Sequence, residues 1–235
     1  MTQSTVFVED KENTAAGSNR RWEQIGAAAG IVFVALQIAS QSLIQLGGVE
    51  PAFNAPAGEI EAFFLSRNPQ LAPIGGFLSL LSVIAFLWFL GVLWAALRRG
   101  EGEPGWLSLV AFACGIVGIA TVLGGVSWEL AILRIHDGLA PETARLLFDQ
   151  GNAGFANFWV LLAGLLFATG VLAVRDGALP RWLGWFALAL APALLAARVV
   201  WFAGSGAKFL PYMLFWVWLI ATSVVLMRRT RRAGG

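Results

Sequence analysis

Six runs of apolar residues alternate with short polar segments along the chain: 23–47, 71–97, 106–133, 155–174, 182–203 and 209–227. A helix that crosses a bilayer needs about 20 predominantly apolar residues, and each run reaches that length. The pattern predicts an all-α polytopic membrane protein with six transmembrane helices. It divides the chain into a disordered polar tail (1–21), a membrane domain (22–228) and a basic tail (229–235). Pro192 falls inside the fifth run, where it removes a backbone hydrogen bond and predicts a kink.

Two connections depart from simple turns. Residues 56–67 read PAGEIEAFFLSR and residues 141–150 read PETARLLFDQ. Both open on a proline suited to a first helical turn and follow it with acids near the positive helix end. They predict two amphipathic helical loops, with the pairs Phe63-Phe64 and Leu147-Phe148 lying along the membrane surface.

Basic residues orient the bundle. Of sixteen Lys and Arg, eleven fall on one alternating set of segments: Lys11, Arg20 and Arg21; Arg98 and Arg99; Arg175 and Arg181; and the four arginines at 228, 229, 231 and 232. Only Arg67, Arg134, Arg145 and Lys208 fall on the other set, and Arg198 lies within a run. The positive-inside rule then places both termini in the cytoplasm and the two amphipathic loops outside. Trp22, Trp94, Trp106, Trp182 and Trp185 are expected at the inner interface, and Trp128, Trp159 and Trp201 towards the outer one.

Composition narrows the chemistry. The 235 residues are 58% hydrophobic and only 13% charged, against about a quarter charged in soluble domains, so little chain is left for a soluble catalytic domain. The one cysteine, Cys114, permits no intramolecular disulfide, and the one histidine, His136, excludes bis-His haem or a multi-His zinc site within one subunit. Phosphate-cradling loops and metal-binding carboxylate clusters are also missing from the sequence. No catalytic residue, metal or cofactor is expected. The C-terminal arginines, directly after a span, suit anionic lipid and not nucleic acid.

Ionisable and polar groups are costly in hydrocarbon, so their depth carries information. Gln37, Gln41 and Gln45 recur every four residues in the outer half of the first run, with Glu129 and Asn157 at similar depth in the third and fourth. Arg198 lies 17 residues past Arg181, roughly 25 Å into the membrane, and Tyr212 opens the sixth run. The inner halves are almost wholly apolar, which argues against a continuous ion pathway. These seven residues form the candidate cluster. Glu129 is the expected partner of Arg198, either as an interhelical clamp or as part of a site in which Arg198 receives an anionic head group. His136-Asp137 as an acid–base pair and Ser205 with Lys208 as a dyad are weaker candidates, since each lies at a loop.

Several segments resemble a family of six-span bacterial membrane proteins, common in actinobacteria, classed as a domain of unknown function. They are EIEAFFLSRNPQL, WFLGVLWAALRR, ALPRWLGWFALALA and WVWLIATSVVLMRR, of which LPRWLG is the most specific. The resemblance implies a bacterial inner-membrane protein and carries no activity or site residue with it. The expected function is non-enzymatic: an accessory or structural subunit of a membrane complex, or alternatively a transporter or binder of a lipophilic or amphiphilic small molecule. Its expected partners are membrane lipids and a protein subunit or second copy.

Overall fold

The computed structural model describes residues 3–46, 50–123, 127–201 and 209–232, with side chains from Asn19 to Arg231. Eight helices and no strand occur among these residues: α1 (Gln3–Ile44), α2 (Ala57–Leu65), α3 (Leu71–Glu101), α4 (Trp106–Leu123), α5 (Ser127–Ile135), α6 (Pro141–Arg175), α7 (Arg181–Val199) and α8 (Leu210–Arg232). Six stretches are long and apolar enough to cross a membrane: Asn19–Ile44, Leu71–Glu101, Trp106–Ile135, Pro141–Arg175, Arg181–Val199 and Leu210–Arg231. The third combines α4 and α5, with residues 124–126 outside those described.

The spans close into a ring. α1 packs on α3 and α8, α8 on α7, α7 on α6, α6 on α4, and α4 back on α3. Its interior is one apolar cluster that includes Phe33, Phe86, Phe89, Leu162, Leu166, Phe215 and Trp218. Lipid offers helices no hydrophobic drive to associate, so close backbone approach has to supply the contact. The α6–α7 crossing illustrates this: a Cβ on Gly170 would come within 2.9 Å of the Gly184 carbonyl oxygen, and one on Gly184 within 3.0 Å of the Gly170 oxygen.

The start of the first span and the end of the last lie at one end of the ring, here termed the basic end. Glu23 near the start of the first span pairs with Arg99 at the end of α3 (2.9 Å). Arg229 near the end of α8 donates to the Ala178 carbonyl in the α6–α7 turn (2.5 Å). The turn into α4 is tied by the Glu101 carboxylate, which accepts the backbone N–H groups of Leu107 and Ser108 at 2.9 and 2.8 Å. Trp22, Trp106, Trp182 and Trp185 are all more than half exposed around this end, as an interfacial belt would be.

The opposite end carries a cap with its own core. Ile60, Phe63 and Phe64 of α2, Ala131, Ile132 and Ile135 of α5, and Ala144 and Phe148 of α6 pack together. Trp128 stacks on Phe148 (centroids 5.4 Å apart, planes at 11°) and donates to its carbonyl (3.3 Å). Arg145 closes one edge, paired with Asp149 (3.0 Å) and donating to the carbonyls of Ala55 (2.7 Å) and Phe53 (3.1 Å).

Three readings of the sequence are corrected here. Phe63, Phe64 and Phe148 face one another in the cap core and not a membrane surface, because the two amphipathic stretches meet and bury each other's apolar faces. The second of these is not a separate helix but the start of α6, whose 35 residues span about 52 Å at the α-helical rise. That exceeds the roughly 30 Å hydrocarbon thickness, so α6 runs from the ring into the cap. Segment 3–21, expected as a disordered tail, continues α1 as helix; it holds no Pro, and its one glycine, Gly17, costs about 1 kcal/mol in a helix interior without breaking it.

Candidate functional site

In the cap half of the ring a small recess of about 70 Å³ opens between α1, α3, α4, α6 and α8. Gln37 and Gln41 line it from α1, Ser79 and Phe86 from α3, Ile119 and Val122 from α4, Phe155 and Phe158 from α6, and Tyr212 from α8. From Arg21 to Gln37 and from Tyr212 to Arg228 the helices rise about 24 Å each, which sets the recess well away from the basic end.

The polar side chains of the recess are anchored by local bonds. Gln37 is buried and donates from Nε2 to the Ser82 hydroxyl (2.8 Å), which donates in turn to the Ser79 carbonyl (2.6 Å). Ser40 donates to the Gly75 carbonyl (2.8 Å), holding α1 against α3 nearer the cap. The Gln41 oxygen accepts a weak bond from Gln45 (3.3 Å). Gln45 itself follows the last residue of α1 and is exposed, so the four-residue repeat yields two recess residues and one at the rim.

Tyr212 belongs to an aromatic wall. Its ring stacks on Trp159 (6.0 Å, 16°) and meets Phe155 edge-on (5.1 Å, 86°). Trp159 in turn packs edge-on against Trp201 at 4.7 Å. Trp159 and Trp201 are 0% and 1% exposed, so these two, expected in an outer interfacial belt, are core residues. Towards the basic end the ring centre is filled by Phe86, Phe89 and Phe215. Ser108, Thr169, Thr222 and Ser223 are the buried polar residues of that half among those described, too short to line a continuous path.

The remaining candidates lie elsewhere. Arg198 does not meet Glu129: its Nε and Nη2 donate to the Asn157 side-chain oxygen at 3.3 and 3.1 Å, on the outer surface of the α6–α7 pair. Shared depth was the reason for expecting the Arg198–Glu129 pair, and depth leaves undetermined which way around the ring a residue points. Glu129, on α5, rests against α3: a Cβ on Gly76 would meet its carboxylate. Gly76 is three residues before Ser79 and seven before Val83, on the face of α3 that lines the recess. The Glu129 carboxylate therefore sits one helical turn above the recess, half-buried, with no hydrogen-bond or ion-pair partner among the described residues.

The cap-end arginines are engaged away from it. Arg145 is held by Asp149 and the loop carbonyls, and Arg134 lies 3.6 Å from Asp137. Arg67 is buried with its guanidinium 4.0 Å from the Phe63 ring centroid. Burial lowers the Arg67 pKa from its ordinary value, against the opposing charge of Glu50. Ser205 and Lys208 lie outside the described residues, and His136 is an exposed residue of the turn after α5.

The sequence reading missed Ser79, Ser82 and the phenylalanines of the recess. The depth criterion that selected the glutamines would also have found Ser79 and Ser82, two hydroxyls one turn apart in the same half of the second run. The phenylalanines carry no signal that separates recess from core. No group of three or more metal-binding side chains occurs among the described residues. No family model, curated protein or solved structure matches the chain.

Proposed function

We propose that this membrane protein binds an amphiphilic small molecule in the recess between its helices. The observation that carries the reading is the convergence of Gln37, Gln41, Ser79 and Tyr212 on one opening, above a ring centre packed with aromatic side chains. Hydrogen-bonding groups set in an otherwise apolar pocket fix a ligand's orientation, and a packed inner half favours binding or one-sided loading over a through-channel. The distribution of Lys and Arg supports an inner-membrane protein with cytoplasmic termini and an outward-facing cap. Membership of the six-span actinobacterial group is part of this proposal and rests on the LPRWLG and Trp-rich segments.

The test is single-cysteine labelling in a Cys114→Ala background with a water-soluble thiol reagent. Cysteines at Gln41 and Ser79 are expected to react, and to be protected by an added short-chain amphiphile. Cysteine at Leu80, whose side chain faces the lipid side, is expected to stay unreactive. Equal reaction at Ser79 and Leu80, or none at either recess position, would remove the recess reading. A companion chain retained in stoichiometric amount with the recess unlabelled would favour the subunit role instead.

A further inference from the structure

Resting on that reading of the recess, we infer that the ligand is cationic: a small ammonium head group on an apolar tail, with Glu129 as its counter-charge. Four features of the structure lead there.

The first is charge. Glu129 places a carboxylate against Gly76 on the recess face of α3, one turn beyond Ser79, and it has no partner among the described residues. An acid in a spanning segment is costly unless something compensates it. The arginines of the cap half are bonded elsewhere, to Asn157, Asp149 and Asp137, or stacked under Phe63. A ligand arriving with positive charge would supply the compensation; an anionic one would face repulsion.

The second is the recess wall. Five of the lining residues, Phe33, Phe86, Phe155, Phe158 and Tyr212, are aromatic, and an aromatic ring met face-on attracts a cation, most strongly where water is scarce.

The third is the set of acceptors. Gln37 commits its Nε2 to Ser82, which leaves the amide oxygen free to accept. The Ser79 and Tyr212 hydroxyls add acceptor lone pairs. An ammonium group has donors and no acceptor, which matches this set.

The fourth is size. A cavity of about 150 Å³ holds a benzene ring, and this recess is about 70 Å³. It admits a compact head and not a ring system, so the apolar remainder of the ligand extends between helices towards lipid.

The experiment compares three octyl compounds, octylammonium, octanol and octyl sulfate, binding to the whole protein in zwitterionic-lipid nanodiscs, with empty discs subtracted. Octylammonium is expected to bind saturably, about tenfold or more tighter than octanol, with octyl sulfate weakest. Glu129→Gln is expected to bring octylammonium binding down to the level of octanol in the same variant, and Glu129→Asp to restore part of the preference. Gly76→Ala provides an independent check. Its methyl displaces only the end of a flexible carboxylate, so folding survives and the octylammonium preference falls. Octanol and octylammonium binding equally, or a preference unmoved by Glu129→Gln, would overturn the cationic assignment and leave the recess in place. Saturable binding of none of the three would overturn the recess reading and this inference together.

Discussion

The two ends of the ring solve the same problem differently. At the basic end, the turns are short, Glu23–Arg99 and Arg229–Ala178 tie neighbouring segments, and the tryptophans stand exposed in a belt. At the cap end, α2, α5 and the start of α6 enclose a second apolar core, and Trp159 and Trp201 are buried. One end exposes the tryptophans that suit a membrane interface; the other is covered by protein. The recess lies on the cap side of the ring centre, walled by α1, α3, α4, α6 and α8.

The difference can be tested through stability. The largest effect is expected from Phe148→Ala, which removes the ring shared by α2, α5 and α6. A buried Phe→Ala costs about 3–5 kcal/mol, here confined to the cap. Hydrogen exchange over 57–65 and 127–135 should accelerate while the spans stay protected; uniform acceleration would mean that cap and ring are one cooperative unit. A smaller loss, about 2–3 kcal/mol, is expected from Gly170→Leu. That side chain is driven into the Gly184 backbone and Leu188, and should lower the thermal midpoint in detergent without exposing the cap. The smallest is Arg198→Gln, which keeps a donor for Asn157 on the lipid-facing surface. Stability should change by less than about 1 kcal/mol, and octylammonium binding should not change at all. Loss of binding in that variant would return Arg198 to the site.

The fold was legible where hydropathy alone decides it. All six spans were found, and five of their starts lie within four residues of the helical stretches. The fourth start was missed by fourteen residues, because 141–154 contains Glu142, Arg145, Asp149 and Asn152 and so fails an apolar criterion while remaining helical. The same polar residues hid the cap, whose core draws only a few apolar positions from each of three short segments. The site was half legible. Gln37, Gln41 and Tyr212 converge as their common depth suggested, whereas Arg198 and Asn157 pair with each other on the far side of α6. A linear sequence gives height along each helix. Direction around the ring depends on which helices are neighbours, and that is decided by small-residue crossings such as Gly170–Gly184.

α6 joins these regions mechanically. Phe148 in the cap and Phe155 at the recess are seven residues apart on one uninterrupted helix, about 10 Å along a stiff rod. Tilting that rod by about 5° about its basic end would swing its far tip by roughly 4.5 Å, given a length of about 52 Å. Cap and recess thus share a lever arm: whatever leans on the outermost turn of α6 also reshapes the wall that Phe155 and Phe158 present.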